Sequence, residues 1–134
     1  MTEDFATQNR NILLIEDDEV FSNLVSAKLQ SLGYDFVLAK NHTEAFEALE
    51  RKKPDVILLD LLLPGEMDGF AILKKIKSDE NFKNIPIIIV SNLDSVIEIQ
   101  MGMKLGAFRY LPKSLVTVNE IVENIKSALV SIKM

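Results

Sequence analysis

Cysteine is absent from the 134-residue chain, so neither a disulfide framework nor a thiolate metal site can form. His42 is the single histidine, which removes a histidine-rich zinc site as well. Cationic residues are outnumbered: 15 Lys and Arg against 20 Asp and Glu give a formal charge of −5. A chain of that sign is not expected to take the phosphate backbone of nucleic acid as its primary partner. No apolar run reaches the length of a membrane span, and the N-terminal MTEDFATQNR lacks the basic-then-apolar pattern of a secretory signal. No membrane insertion and a cytoplasmic location are therefore expected. There is no repeat, low-complexity tract or linker, and neither GxxxxGK nor GxGxxG, the phosphate-cradling loops of nucleotide binders.

What remains is an ordinary globular composition, 48% hydrophobic and 26% charged, in a length suited to one domain. A single domain over residues 1–134 is expected, with a loose tail over 1–8 and a core from about 9 to 132. Five apolar runs read as strands: Asn11–Ile15, Tyr34–Ala39, Asp55–Leu59, Pro86–Val90 and Ala107–Leu111. The first, third and fourth are almost wholly apolar, as strands buried on both faces of a parallel sheet should be, and the mixed second and fifth suit its edges.

Helical patterns lie between the runs. Phe21, Leu24, Val25, Leu29 and Leu32 share one face, and Gly33 supplies a stop. Asn41 with Glu44 has the spacing of a capping box ahead of Ala45, Phe46 and Leu49. His42 reads as an exposed residue at that helix's start. Asp68 is placed to cap a helix carrying Phe70, Leu73 and Ile76. Val118, Ile121, Val122, Ile125, Leu129 and Ile132 form the stripe of the last helix. Strands alternating with five helices imply an α/β domain with a parallel sheet and right-handed crossovers.

Functional groups of an open parallel sheet collect beyond the carboxyl ends of its strands. Glu16, Asp17 and Asp18 follow the first strand, Asp60 the third, Ser91 the fourth and Lys113 the fifth. Taken singly these residues have plain roles: Asp17 or Asp18 a helix cap, Ser91 a turn, Lys113 a solubilising charge. Together they place several acids, a hydroxyl and an ammonium at one rim. Crowded carboxylates repel one another unless a cation compensates, and Mg²⁺ suits such oxygen ligands. The same charge would let an anionic phosphoryl donor approach a carboxylate nucleophile, with Lys113 and Ser91 meeting phosphoryl oxygens.

The segments ILLIEDDE, DVILLDLLLPGEMDGF, IPIIIVSN and GAFRYLPKS resemble the landmark segments of bacterial response-regulator receiver domains, from about Asn11 to the C-terminus. The resemblance implies a doubly wound, flavodoxin-like five-stranded sheet of order 2-1-3-4-5. It implies Asp60 as phosphoacceptor, and Mg²⁺ or Mn²⁺ held by Asp17, Asp60, the backbone carbonyl of Leu62, and Glu16 through bound water. Ser91, Tyr110 and Lys113 take the switch-hydroxyl, switch-aromatic and phosphate-pairing positions. Partners implied are a sensor histidine kinase or phosphotransfer protein as donor, and a downstream protein target. The chain looks like the stand-alone, chemotaxis-regulator type, which acts by docking and is no enzyme beyond self-catalysed phosphotransfer and autodephosphorylation.

Some positions depart from the family pattern. The loop Pro64–Gly69 is one residue longer than usual. Ser114 stands where the family often has a cis proline, so a trans Lys113–Ser114 bond is the default. Leu62 and Leu93 occupy positions that tune phosphate loss, and apolar groups there predict slow self-hydrolysis. On the fourth helix, Val96, Ile99 and Met103 form a stripe expected to face the sheet, and Leu93, Ile97, Met101 and Leu105 a second. Ile97 and Met101 are expected to be exposed, as a partner surface or one for a phosphorylation-dependent homodimer. Phosphate on Asp60 should draw in Ser91 and Lys113 and let Tyr110 turn inward.

Three rivals are weaker. A haloacid-dehalogenase-type phosphatase wants an acid two residues beyond its nucleophile, where Leu62 stands. A flavin binder of this fold would not put acids where phosphate must sit. A receiver-like module that binds partners without phosphorylation does not need the complete set of Asp17, Asp60, Ser91 and Lys113.

Overall fold

Runs of Ile, Leu and Val without polar breaks favour strands covered on both faces, and the three most apolar runs form the interior of the sheet. In the computed structural model, which describes residues 10–131, β1 (Asn11–Ile15), β3 (Val56–Leu59) and β4 (Ile87–Ser91) are buried throughout. The edge strands β2 (Asp35–Ala39) and β5 (Arg109–Pro112) are partly exposed. All pairings are parallel and the order is β2-β1-β3-β4-β5, the doubly wound order expected. β1 has the expected bounds, and those of the other four strands differ from the expected ones by one or two residues. The expected tail over 1–8 and Ile132 of the last stripe lie outside the described residues.

Five helices cover the sheet: α1 (Glu19–Ser31), α2 (His42–Arg51), α3 (Gly69–Lys77), α4 (Val96–Lys104) and α5 (Val118–Ser131). Alternation along each strand sends its side chains into two cores. On one face, Leu13, Ile57, Leu59 and Ile89 meet Leu49 of α2 and Ile72, Leu73 and Ile76 of α3. On the other, Ile12, Leu58 and Ile88 meet Val25 and Leu29 of α1 and Ile121, Ile125 and Leu129 of α5. No helix among the described residues is long and apolar enough to cross a membrane.

The caps follow local chemistry. Asp18, Asn41 and Asp68 accept hydrogen bonds from Phe21, Glu44 and Ala71 amides. The return half of the expected Asn41–Glu44 box is displaced: Glu44 accepts from the Lys40 amide rather than from Asn41. A full capping box stands instead at Ser95 and Glu98 of α4.

Packing overrides periodicity at several places. Leu24 is 57% exposed, because α1 turns the smaller Ser22 inward beside Val25 and Leu29. On α4 the expected inward stripe fails at two of its three positions: Val96 is 68% and Met103 43% exposed, while Ile99 is half-buried. The contact is made at Gly102, where a Cβ would come within 2.8 Å of Ile89 Cδ1 and 2.9 Å of Tyr110 Cδ2. A helix that lies this close leaves no room for a large inward side chain. His42 is half-buried rather than exposed: its Nδ1 is enclosed without a hydrogen-bond partner and faces the Gly65 turn. The Gly65 turn thus lies directly against the His42 ring. No cis peptide bond occurs among the described residues, so Lys113–Ser114 is trans, as expected.

Candidate functional site

Register sets which side chains can meet. Ile15 pairs with Leu59, so the next residues, Glu16 and Asp60, emerge side by side from β1 and β3. Ser91 pairs with Pro112, which brings Lys113 out beyond the end of β4. The Asp60 amide is held by the Ile15 carbonyl at 3.0 Å, and that of Glu16 by Ala39 at 2.9 Å, so both acids stand on paired backbone. Behind Asp60 the chain turns tightly against α3. The Gly69 amide donates to the Leu61 carbonyl at 3.0 Å, and a Cβ on Gly69 would overlap the Asp60 carbonyl oxygen and Leu61 Cα.

Glu16, Asp17 and Asp60 offer carboxylate oxygens that all lie within 4.8 Å of one another, Glu16 and Asp60 buried and Asp17 exposed. Lys113 Nζ lies 2.8 Å from Glu16 Oε1 and 3.2 Å from Asp60 Oδ2, with its side chain almost wholly covered. With all three carboxylates ionised, one ammonium leaves an excess of two negative charges, which a divalent cation would balance, and the oxygen-only donor set fits a hard ion. Burial pushes the Glu16 carboxyl up to about 7, with Lys113 and the Asp18 amide pulling it back and Asp60 adding to the rise. Lys113 is raised despite its own burial, because Glu16 and Asp60 favour the charged ammonium.

The other expected residues take neighbouring places. The Leu62 amide donates to Asp60 Oδ1 at 3.1 Å, holding the carboxylate from the loop side. Ser91 is buried and its hydroxyl accepts from the Leu93 amide at 3.3 Å, leaving its own proton free to be donated. Tyr110 already lies inward, packed on Gly102, and donates to the Leu93 carbonyl at 2.6 Å. Burial and the acids Glu98, Asp60 and Asp94 push its phenol up to about 12. Ile97 and Met101 are 72% and 45% exposed on α4, apart from the acids.

Two features have no motif to announce them. The Asp18 amide donates to Glu16 Oε2 at 3.0 Å, so an acid that caps α1 also orients its neighbour. Phe21, read from sequence only as a core residue, has its ring centroid 4.4 Å from Lys113 Nζ. The Ser95–Glu98 box, by contrast, has a readable S-x-x-E signature.

The family model for the response regulator receiver domain matches residues 12–126. The chain is similar to the DNA-binding dual master transcriptional regulator RpaA of Synechocystis, 33% identical over 118 residues, 88% of this chain and 48% of that protein. The chain spans half or less of the length of the curated relatives it matches. Among solved structures, the Francisella response regulator 1452 receiver domain superposes with a TM-score of 0.84 at 28% identity, covering 92% of this chain and 99% of that one. The Mn²⁺-bound form of response regulator Rcp1 superposes with a TM-score of 0.78 at 27% identity, covering 88% and 92%.

Proposed function

The chain belongs to the response regulator receiver domain family, and on that footing we propose that Asp60 is its phosphoacceptor, loaded from a phosphohistidine on a sensor kinase or phosphotransfer protein. The observation that carries the assignment is the convergence of Glu16, Asp17, Asp60 and Lys113 at one rim of the sheet. One Asp60 carboxylate oxygen forms a bond to phosphorus while the donor's N–P bond breaks and its electron pair returns to the imidazole. Glu16, Asp17, Asp60 and the Leu62 carbonyl would hold Mg²⁺ or Mn²⁺, which supplies charge neutralisation to the incoming phosphoryl group. That Rcp1, of similar fold, carries Mn²⁺ supports this choice.

Lys113 stands beside Asp60 Oδ2 and pairs with a phosphoryl oxygen; the Ser91 hydroxyl donates to another. Ser91 ends β4 and Lys113 follows the last residue of β5, so their engagement favours one arrangement of the β4–α4 loop over others. The face made by α4, β5 and α5 reports the change to a partner or to a second copy of the chain. No catalysis is assigned beyond phosphoryl gain and loss at Asp60.

The test is intact-mass spectrometry after incubation with acetyl phosphate, with and without Mg²⁺, on the wild type and Asp60→Asn. A single phosphoryl adduct that needs both the ion and Asp60 is expected. No adduct from acetyl phosphate or from a phosphorylated kinase, in folded protein, would leave a phosphorylation-independent binding module as the better reading.

A further inference from the structure

A lysine ammonium has three donors on a flexible four-carbon stem, and an ion pair alone fixes its position poorly. Lys113 has two carboxylate partners, Glu16 at 2.8 Å and Asp60 at 3.2 Å. A third side of the ammonium meets the face of Phe21, 4.4 Å from the ring centroid. The ring's negative face attracts the cation, and on a nearly covered side chain the attraction is stronger than at an open surface.

Phe21 is not a casual neighbour. It sits in the first turn of α1, and its amide is held at 3.2 Å by the Asp18 carboxylate. The Asp18 amide in turn holds Glu16 Oε2 at 3.0 Å, and Glu16 Oε1 grips Lys113. The contacts Glu16–Asp18–Phe21–Lys113–Glu16 form a closed circuit, so the acid that grips the ammonium also helps set the ring that faces it.

We propose that Phe21 is a positioning residue for phosphoryl transfer, its ring holding the Lys113 ammonium beside Asp60 while the ammonium exchanges carboxylate partners for a phosphoryl oxygen. This role rests on Asp60 being the phosphoacceptor. The exchange alters both anionic partners of Lys113, but it makes no demand on the ring. An aliphatic residue at position 21 would fill the same space without attracting the charge.

The test uses the full chain with Phe21→Leu, Phe21→Tyr, and mono-, di- and trifluorophenylalanine at position 21, which drain the ring's negative face while nearly keeping its shape. Two quantities are read: the phosphorylation rate with acetyl phosphate at saturating Mg²⁺, and the NMR shifts of the Lys113 Cε protons. Those protons should lie upfield in the wild type and return to ordinary values in Phe21→Leu. The rate should fall stepwise with fluorine, by about fivefold across the series, and be kept by Phe21→Tyr. A flat rate across the fluorinated series, or unshifted Lys113 protons in the wild type, overturns the proposal while leaving Asp60 as acceptor. A wild type with no Asp60 adduct removes the proposed function, and the positioning role with it.

Discussion

The Tyr110 hydroxyl donates a 2.6 Å hydrogen bond to the Leu93 carbonyl, tying edge strand β5 to the loop that follows Ser91. The Leu93 amide is held in turn by Ser91 Oγ, so one residue is gripped at both its backbone groups, by Ser91 and by Tyr110. Tyr110→Phe removes one grip and keeps the ring on Gly102. It should cost about 1 kcal/mol of stability and speed amide exchange around Leu93. Denaturant titration with hydrogen exchange measures both, and unchanged exchange there would show that the bond does not restrain the loop.

Glu16 provides a pH dependence whose sign is set by burial. Its carboxyl is raised from 4.5 to about 7 in the folded protein. The folded state thus binds more protons than the unfolded chain between those values. The stability this group contributes is complete below about 4.5 and is lost as pH rises through about 7. In metal-free protein, Tm should decline over that window, and Glu16→Gln should flatten the decline. Mg²⁺ should oppose it, because the ion binds the carboxylate form. A slope identical in Glu16→Gln would assign the effect to other groups.

Gly69 admits no side chain without moving the backbone that carries Asp60. Gly69→Ala meets main chain rather than a flexible tip, so relief requires displacing α3. Overpacking of this kind costs about 1–3 kcal/mol, and the phosphorylation rate should fall with stability. Chemical denaturation and acetyl phosphate kinetics together decide it. A variant of wild-type stability would mean that the turn yields cheaply.

Leu62 is exposed beside Asp60, and Leu93 is partly buried in the β4–α4 loop. Neither side chain could hydrogen-bond a water attacking a phosphoryl group on Asp60. Leu93→Glu offers one such bond, worth about 1 kcal/mol or roughly a fivefold rate. Phosphoryl loss from the variant should be correspondingly faster when followed by intact mass. An equal half-life would remove the link between these positions and slow hydrolysis.

Ile97 and Met101 present apolar surface on α4, joined by the exposed Val96 and Met103. If this face carries the output, Ile97→Lys and Met101→Lys should weaken self-association or partner binding of the phosphorylated protein. Fold and phosphorylation rate should not change. Sedimentation velocity before and after phosphorylation reads the effect on self-association, and binding to an isolated partner reads the other. Variants that behave as wild type in both assays would exclude the face.

The sheet was legible because its interior strands are buried on both sides, which leaves continuous Ile, Leu and Val rather than an ambiguous alternation. Glu16, Asp17, Asp60 and Lys113 were legible because parallel strands deliver their C-terminal neighbours to one rim. The errors arose where small residues decide contacts. Gly102 and Ser22 lie inward and displace the apolar neighbours that periodicity favours. His42 was misread because the Gly65 turn that covers it comes from a distant segment. Phe21 and Lys113 share no spacing rule, and only the folded sheet brings ring and ammonium together.

Asp60 and Lys113 stand on strands of unequal protection. β3 is laddered to β1 and β4, whereas β5 has β4 alone as a neighbour and lies partly open to solvent. Subglobal opening begins at such margins and reaches an interior strand only with general unfolding. An excursion that peeled β5 away would carry off Lys113 and Tyr110 together and leave Asp60, Glu16 and their backbone ladder in place. Loss of that margin alone would therefore strip Asp60 of its ammonium partner and leave a bare carboxylate on a still-intact strand.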